Sequence, residues 1–179
     1  MISAADPPTK PLSEAQAERL PPIFAHWFAA RGWRLRRHQA AMLELGRAGR
    51  DALLIAPTGG GKTLGGFLPS LVDLTLSGFS SNLHTLYISP LKALTTDVAR
   101  NLLRPVEEMG LPVRIETRTG DTPQNRRQRQ RRQPPDLLLT TPESLALLLS
   151  YDDAPAYFAS LRCVVLDELH ALAESKRGA

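Results

Sequence analysis

The chain has little of what several protein classes require. Among its 179 residues there is one cysteine, Cys163, so neither an intrachain disulfide nor a cysteine-based metal cluster can form. No apolar run reaches the roughly 20 residues that a membrane-spanning helix needs, and residues 1–12 lack the apolar segment of a secretory signal. We therefore expect a cytoplasmic protein without a membrane partner, in which Cys163 is a buried structural thiol.

Aromatic residues are also scarce, at 6% of the chain, although apolar residues make up 42%. A substantial core can therefore form, but it must consist mainly of Leu, Ala and Val. The net charge of +4 permits a polyanionic partner without requiring one. Residues 1–12 are rich in proline and small residues, which favours a loosely ordered lead-in over residues 1–20, and residues 21–179 fit a single domain.

A glycine-rich stretch at residues 56–63 is the feature around which the chain is organised. The preceding apolar run, residues 51–55, predicts a buried strand, and apolar residues recur at helical spacing over residues 64–76. A strand, a glycine-rich turn and a helix start are the context of a phosphate-binding loop. Ala56 departs from the usual pattern, because such loops begin with Gly. An ordinary glycine-rich turn is the alternative, but it would not require Lys-Thr directly after three glycines.

Each residue type in this loop suits phosphate chemistry. Glycines let backbone N–H groups approach phosphate oxygens, and the helix N-terminus adds partial positive charge. Lys62 would place a full charge at the terminal phosphates, while the hydroxyl of Thr63 would ligate Mg²⁺. The predicted nucleotide-binding residues of the loop are Thr58, Gly59, Gly60, Gly61, Lys62 and Thr63.

A further candidate, Gln39, lies shortly upstream of the loop, at the start of a predicted amphipathic helix over residues 39–45. Its amide can both donate and accept hydrogen bonds, so it can read the edge of adenine. A solvated basic turn before a helix explains the same residue types about as well. Only the position of Gln39 upstream of the phosphate loop favours adenine.

After the loop, the chain repeats a pattern of strand followed by helix. Strands are predicted at residues 84–89, 113–117, 136–140 and 162–166, the last one buried, with helices at residues 92–103, after the turn at 120–123, and from Pro142. Together with residues 51–55 these are five strands alternating with helices. They imply an α/β fold with a mainly parallel sheet and helices on both faces. Such sheets bind ligands at the carboxyl ends of their strands.

The strand at residues 162–166 is followed by two carboxylates. Asp167 can hold Mg²⁺, usually through water, and Glu168 can polarise the water that attacks a terminal phosphate. An acidic first turn that stabilises the following helix through its dipole is the alternative. The combination with the upstream phosphate loop favours the catalytic interpretation.

The other strand ends carry hydroxyls, amides and cations. Backbone amides at helix starts, Ser and Thr hydroxyls and a Lys or Arg hold a sugar-phosphate backbone without reading its sequence. Any one of these groups alone would be a helix cap, but three on one sheet edge predict a track for a nucleic-acid strand. The predicted track residues are Ser89, Pro90, Lys92, Arg118, Thr119, Gly120, Thr140, Thr141 and Pro142. The arginine-rich run at residues 125–132 favours a solvated helix face over a direct nucleic-acid contact.

Taken together, these motifs resemble the first motor domain of superfamily 2 helicases, which is a RecA-like P-loop NTPase domain. More narrowly, residues 87–94, 117–122, 166–173 and 175–178 are similar to the Lhr-like DEXH-box branch, and especially to the bacterial ligase-associated DNA helicases. The resemblance covers residues 20–179, and the separate motifs stand in the expected order.

The resemblance implies an ATP-dependent motor that moves along single-stranded DNA and unwinds duplexes in DNA repair. It implies ATP and Mg²⁺ as cofactors, single-stranded or duplex DNA as the partner, and a ligase and a nuclease as companions in a repair system. It also implies roles for matching positions: Lys62, Asp167 and Glu168 as catalytic residues, Thr63 and Asp167 as metal ligands, and Gln39 as the adenine-reading residue.

The chain differs from that family in length. Family members have a second motor domain whose arginines reach the terminal phosphate, and a Ser-Ala-Thr strand that lies between the phosphate-loop strand and the Asp-Glu strand. Neither is present up to Ala179, so we expect a fragment, truncated before the last strands of its sheet, that binds ATP but hardly hydrolyses it. The alternatives are an RNA helicase of the same superfamily, a P-loop kinase or small-molecule ATPase, and a non-catalytic nucleic-acid or protein-binding remnant.

Overall fold

The computed structural model of the chain describes residues 2–3, 20–56, 60–79 and 82–174, without the side chains of Ile2, Ser3 and Glu174. Most of the predicted lead-in, the loop residues Thr58 and Gly59, and the motif at residues 175–178 therefore lie outside the described residues. The chain divides into two compact units. The first comprises Met1–Gly78 with Glu107–Leu111, and the second comprises Phe79–Val106 with Pro112–Ala179.

The first unit, where the structure describes it, combines helices with a short pair of strands. Strand β1 (Ile2–Ser3) pairs in parallel with β2 (Leu54–Ile55), and the helices are α1 (Pro22–Ala30), α2 (Arg37–Arg47) and α3 (Lys62–Ser77). Helix α1 begins at a proline, which suits the first turn of a helix. Helices α2 and α3 approach so closely that a Cβ on Gly46 would lie 2.8 Å from the Cβ of Pro69. The predicted helix over residues 64–76 is confirmed as α3.

Strand β2 is shorter and more exposed than the sequence predicts. A buried strand is expected over residues 51–55, whereas β2 contains only Leu54 and Ile55. The side chains of Leu53 and Ile55 are exposed. Among the described residues β2 pairs only with the two-residue strand β1, so its apolar side chains are not covered by neighbouring strands as they would be in the middle of a sheet.

The second unit contains a parallel four-stranded sheet with the strand order β4-β5-β3-β6. Its strands are β3 (Thr85–Ile88), β4 (Ile115–Arg118), β5 (Leu137–Thr140) and β6 (Cys163–Leu166). Ile88 lies opposite both Thr140 and Leu166, and Thr140 lies opposite Arg118. All four strands therefore end level, and the loops that follow them leave the same edge of the sheet. The predicted α/β fold with a parallel sheet is confirmed.

Helices cover this sheet. They are α4 (Lys92–Glu108, with Val106 as its last residue in this unit), α5 (Gln124–Arg132), α6 (Pro142–Leu149), α7 (Ala154–Phe158) and α8 (Leu169–Glu174). Leu137, Leu138 and Leu139 of β5 are fully buried, so both faces of the sheet are covered there. On one face, Leu138 packs in a cluster with Leu148 of α6 and Tyr157 of α7. No helix in the described ranges is long and apolar enough to cross a membrane.

Two helices differ from prediction. Helix α4 is expected to end at residue 103, but it continues through Pro105 to Glu108. Pro105 cannot donate a backbone hydrogen bond, yet it and Val106 are buried, and this packing offsets the lost bond. Helix α7 has no counterpart among the predicted elements, although Pro155 in its first turn is a usable signal for a helix start.

Strand β6 also needs correction, because the sequence predicts a buried strand with a buried thiol. Val164 and Leu166 are 49% and 51% exposed, and Cys163 is only partly buried. The physical reason is that β6 is an edge strand of the described sheet, in which it pairs only with β3. The predicted fifth strand, β2, belongs to the first unit and is not hydrogen-bonded to this sheet.

Candidate functional site

The described part of the phosphate loop ends in a sharp turn into α3. Gly61 adopts a left-handed conformation (φ +75°), which favours glycine, and the helix begins at the next residue, Lys62. Gly65 N–H donates to Gly61 O at 3.0 Å as the first helical hydrogen bond. The N–H groups at the start of any helix have no helical acceptor, so those of Lys62 and Thr63 are positioned to bind an anion.

Gln39 contacts this loop directly. Its side chain is only 4% exposed. Its Oε1 accepts the Arg36 N–H at 2.9 Å, and its Nε2 donates to Gly61 O at 3.2 Å. The structure thus brings together two predicted nucleotide-binding residues, Gln39 and Gly61. The amide bonds to protein groups in this structure, and the reading of adenine by Gln39 stays a prediction.

His38 is a neighbour of the loop that the sequence analysis missed. Its ring is buried, and its Nε2 has no hydrogen-bond partner among the described residues. Burial, together with the charge of Arg36, lowers the pKa of His38 below its ordinary value, although a hydrogen bond with the Gly60 backbone opposes this effect. The ring is therefore neutral at pH 7. Its position directly before Gln39 is the only signal in the sequence.

In the second unit, Asp167 follows β6 and both of its carboxylate oxygens accept hydrogen bonds. Oδ2 accepts the hydroxyl of Tyr87 at 2.7 Å, and Oδ1 accepts the backbone N–H of Glu168 at 2.9 Å. The Asp167 N–H donates to Ile88 O at 3.0 Å and continues the β3–β6 ladder. Tyr87 lies in β3 and is 2% exposed; burial and the neighbouring Asp167 raise the pKa of its hydroxyl far above the ordinary value. Sequence analysis did not single out Tyr87.

Glu168 has an unusual backbone. Its φ of +50° is the only positive φ outside glycine among the described residues. Its carbonyl oxygen accepts the N–H groups of Ala171 at 2.8 Å and Leu172 at 3.2 Å, which starts α8. Its Oε2 lies 3.5 Å from His170 Nδ1, and both side chains are accessible to solvent. The predicted water-polarising carboxylate is thus partly exposed at a strand end.

The loops of the predicted nucleic-acid track are brought together at the level strand ends. Lys92 Nζ lies 3.0 Å from both carboxylate oxygens of Asp121, which links the loop after β3 to the loop after β4. Arg127 Nη2 of α5 donates to the carbonyl oxygens of Thr119 at 3.2 Å and Gly120 at 2.6 Å. Thr140 Oγ1 donates to Arg118 O at 2.7 Å. Lys92 and Gly120 are exposed, and Pro142 is partly exposed.

Several predicted track side chains are not on the surface. Those of Ser89, Pro90, Thr119, Thr140 and Thr141 are buried. Their burial does not fit the prediction that these side chains contact a nucleic-acid strand.

Arg118 is the clearest correction, because its guanidinium is not available to DNA. The residue is 1% exposed; Nη1 donates to Arg127 O at 3.2 Å, and the guanidinium lies 6.0 Å from the ring of Tyr151. Arg118 is the last residue of β4, and its side chain lies beneath α5 and not at the protein surface. Burial lowers the pKa of Arg118.

The arginines of α5 are largely engaged with the rest of the unit. Arg126 Nε and Arg129 Nη2 lie 3.2 and 2.6 Å from Glu116 Oε2 on β4, and Gln130 Nε2 donates to the same oxygen at 3.0 Å. Arg131 pairs with Asp153 at 2.7 Å. The predicted solvated helix face is therefore also a set of contacts that fixes β4.

Comparisons with known proteins agree with this fold. A family model described as DEAD/DEAH box helicase matches residues 36–179. The Lhr helicase/probable uracil glycosylase of Mycolicibacterium smegmatis is 46% identical over 143 residues, covering 73% of this chain and 9% of that protein. The Lhr helicase/uracil glycosylase of Escherichia coli is 40% identical over 184 residues, covering 89% of this chain and 12% of that protein.

A solved structure is also similar. The Mycobacterium smegmatis helicase Lhr bound to ssDNA and AMP-PNP superposes with a TM-score of 0.78 at 39% identity, covering 91% of this chain and 22% of that chain. The present chain therefore spans less than a quarter of the length of each of these three proteins.

Proposed function

The chain belongs to the DEAD/DEAH box helicase family, and on that premise we propose that it is the first motor domain of an Lhr-like, ATP-dependent DNA helicase. The observation that carries the proposal is the start of α3, where left-handed Gly61 is followed at once by Lys62 and Thr63. The first N–H groups of a helix have no helical acceptor, and here they lie beside a cation and a hydroxyl, as binding of a triphosphate requires. In this proposal residues 1–20 are a lead-in and residues 21–179 are the motor domain.

The proposal includes ATP and Mg²⁺ as cofactors. Thr63 in the first unit and Asp167 in the second would each offer an oxygen donor, which Mg²⁺ prefers, and Asp167 retains lone pairs beyond the two hydrogen bonds described above. When bound, Mg²⁺ would neutralise charge on the terminal phosphates. Lys62 would hold those phosphates, and Gln39 would read adenine. The Glu168 carboxylate would orient the attacking water and accept its proton.

A nucleic-acid strand would run along the level strand ends of the second unit. The exposed Lys92 and the exposed backbone of Gly120 support this proposal, since a cation and backbone N–H groups hold phosphates without reading bases. The relative solved with ssDNA supports DNA as the strand. We extend the proposal to a cytoplasmic role in DNA repair, with a ligase and a nuclease as companions.

ATP hydrolysis with and without single-stranded DNA tests this function. It should be measured for this chain alone and for the same chain followed by the second motor domain of an Lhr-like helicase. We expect negligible turnover from the chain alone and DNA-stimulated turnover from the longer protein, because an arginine supplied from outside contributes about 10³ to 10⁵ in rate. Lys62→Ala and Glu168→Gln should each reduce that turnover by at least about a hundredfold.

The controls decide among the alternatives. Stimulation by RNA and not by DNA would indicate an RNA helicase. Turnover of the longer protein without any response to nucleic acid would support a kinase or small-molecule ATPase and contradict the motor. DNA affinity should also be measured at two salt concentrations. A chain that binds DNA but binds no nucleotide would be a non-catalytic remnant.

A further inference from the structure

We propose that Tyr87 is a positioning residue for the Asp167–Glu168 pair: its hydroxyl fixes the Asp167 carboxylate, which in turn holds the backbone of Glu168. This inference rests on the proposed function, in which Asp167 holds Mg²⁺ and Glu168 orients water. All three residues lie in the second unit.

The first link is a short hydrogen bond from a rigid donor. Tyr87 lies opposite Val165 in the β3–β6 ladder, two residues before Asp167, so its hydroxyl reaches past the end of β6. The residue is almost fully buried, and its oxygen lies 2.7 Å from Asp167 Oδ2. Packing within the sheet leaves the ring little freedom, so this donor stays in place. Hydrogen bonds to a carboxylate are stronger than those between neutral groups.

The second link joins the same carboxylate to a strained backbone. Asp167 Oδ1 accepts the N–H of Glu168 at 2.9 Å, and Glu168 has the positive φ of +50°. Positive φ is unfavourable outside glycine and persists only where surrounding contacts fix it, often at functional sites. Because one carboxylate makes both bonds, rotation of the Asp167 side chain would loosen the Glu168 backbone as well.

A second tyrosine in the same unit provides a matched comparison. Tyr157 is also buried, but its hydroxyl has no hydrogen-bond partner among the described residues. Phenylalanine at either position would fill nearly the same space. Only at position 87 would it remove a hydrogen bond to Asp167. The pair Tyr87→Phe and Tyr157→Phe therefore compares the loss of a buried hydroxyl that contacts Asp167 and Ser89 with the loss of a buried hydroxyl that has no partner among the described residues.

The test measures how the affinity for a fluorescent ATP analogue depends on Mg²⁺, using this chain and its Tyr87→Phe, Tyr157→Phe and Asp167→Asn variants. Residues that orient a metal ligand typically contribute 10- to 100-fold to metal affinity, so Tyr87→Phe should raise the half-saturating Mg²⁺ concentration about tenfold. Affinity in EDTA should not change. In the absence of nucleotide and metal, the amide NMR signal of Glu168 should shift and its hydrogen exchange should accelerate. Tyr157→Phe should change none of these quantities.

The outcomes separate this inference from the proposed function. If Asp167→Asn raises the Mg²⁺ requirement while Tyr87→Phe matches the wild type in both measurements, the positioning role is wrong and the proposed function stands. If Asp167→Asn leaves the Mg²⁺ dependence unchanged, Asp167 is not the metal ligand, and both the positioning role of Tyr87 and the metal-holding role of Asp167 in the proposed function fail. A Tyr87→Phe chain that does not fold, beside a folded Tyr157→Phe chain, would assign the hydroxyl to fold stability and overturn the positioning role.

Discussion

The two units hold their candidate catalytic groups by different means. In the first, the candidate phosphate-binding end of α3 is formed mainly by backbone: left-handed Gly61 sets the turn, and Gln39 donates a hydrogen bond to the Gly61 carbonyl oxygen at 3.2 Å. In the second, one side chain fixes another: the Tyr87 hydroxyl donates a hydrogen bond to the Asp167 carboxylate at 2.7 Å. The left-handed turn at Gly61 depends mainly on residues adjacent in sequence, whereas the Tyr87–Asp167 contact joins residues that are 80 positions apart. Substitutions should therefore damage the two units in different ways.

Gly61→Ala should give the largest effect, because it attacks the backbone site itself. A Cβ at this position would lie 2.9 Å from Gln39 Nε2 and would also force alanine into a left-handed conformation. We expect the free energy of unfolding to fall by about 1–2 kcal/mol. ATP-analogue affinity, measured by titration, should fall at least about tenfold, because a distorted turn would misalign the backbone N–H donors at the start of α3.

Gly49→Ala is the matched control for that strain. Gly49 has a similar φ of +62°, but a Cβ there would meet no atom within 4 Å. The Gly49→Ala variant should lose about as much stability as Gly61→Ala but keep the nucleotide affinity of the wild type. Equal losses of affinity in both variants would show that the contact between Gly61 and Gln39 is unimportant.

Glu116→Gln should have an intermediate effect, confined to the side-chain contacts of the second unit. Burial opposes ionisation of Glu116, but hydrogen bonds from Gln130 and Arg126 and the charge of Arg129 outweigh it, so its folded pKa lies below 4.5. A carboxyl group whose pKa is lower in the folded than in the unfolded state stabilises the fold at pH values above its unfolded pKa. This stabilisation is lost as the pH falls through the folded pKa. Chemical denaturation should show a loss of about 1 kcal/mol at pH 7.

The difference between wild type and Glu116→Gln should stay constant down to about pH 5 and shrink below the unfolded pKa of about 4.5. Glu107→Gln, at an exposed glutamate, serves as the control and should change stability little. A difference that grows on acidification would contradict the lowered pKa.

Asp121→Asn should give the smallest effect, because the Lys92–Asp121 pair is exposed and screened by salt. Removing the carboxylate leaves Lys92 available to a phosphate, so affinity for single-stranded DNA should rise about threefold at low salt, with a steeper salt dependence. Fluorescence anisotropy of labelled DNA measures both. Asp97→Asn removes the same charge from an exposed aspartate that lies 3.9 Å from Arg100, and it should change affinity less. Equal gains in DNA affinity for Asp121→Asn and Asp97→Asn would show that the effect comes from net charge alone.

Local features of the fold were predictable from the sequence. The glycine loop, the helix that follows it, the proline at the start of α6, and the alternation of strands with helices that implies a parallel sheet all depend on residues close together in the chain. Each of them has a conformational preference of its own, through φ or through hydrophobic periodicity.

Side-chain exposure and distant contacts were not predictable in the same way. Whether Arg118 faces solvent depends on α5 and Tyr151 packing over it, and whether Val164 is buried depends on the strand beside it. Tyr87 and Asp167 are 80 residues apart in sequence, and no local pattern connects them. The roles expected of Gln39, Lys62 and Glu168 stay predictions that the experiments above address.

The exposed edge strand β6 also bears on how the chain behaves in solution. Within the described sheet its outer edge is unpaired, and it presents Val164 and Leu166 beside backbone donors and acceptors. Such an edge can add a strand from another molecule, so it promotes aggregation. The isolated chain should therefore be less soluble at high concentration than its net charge of +4 suggests.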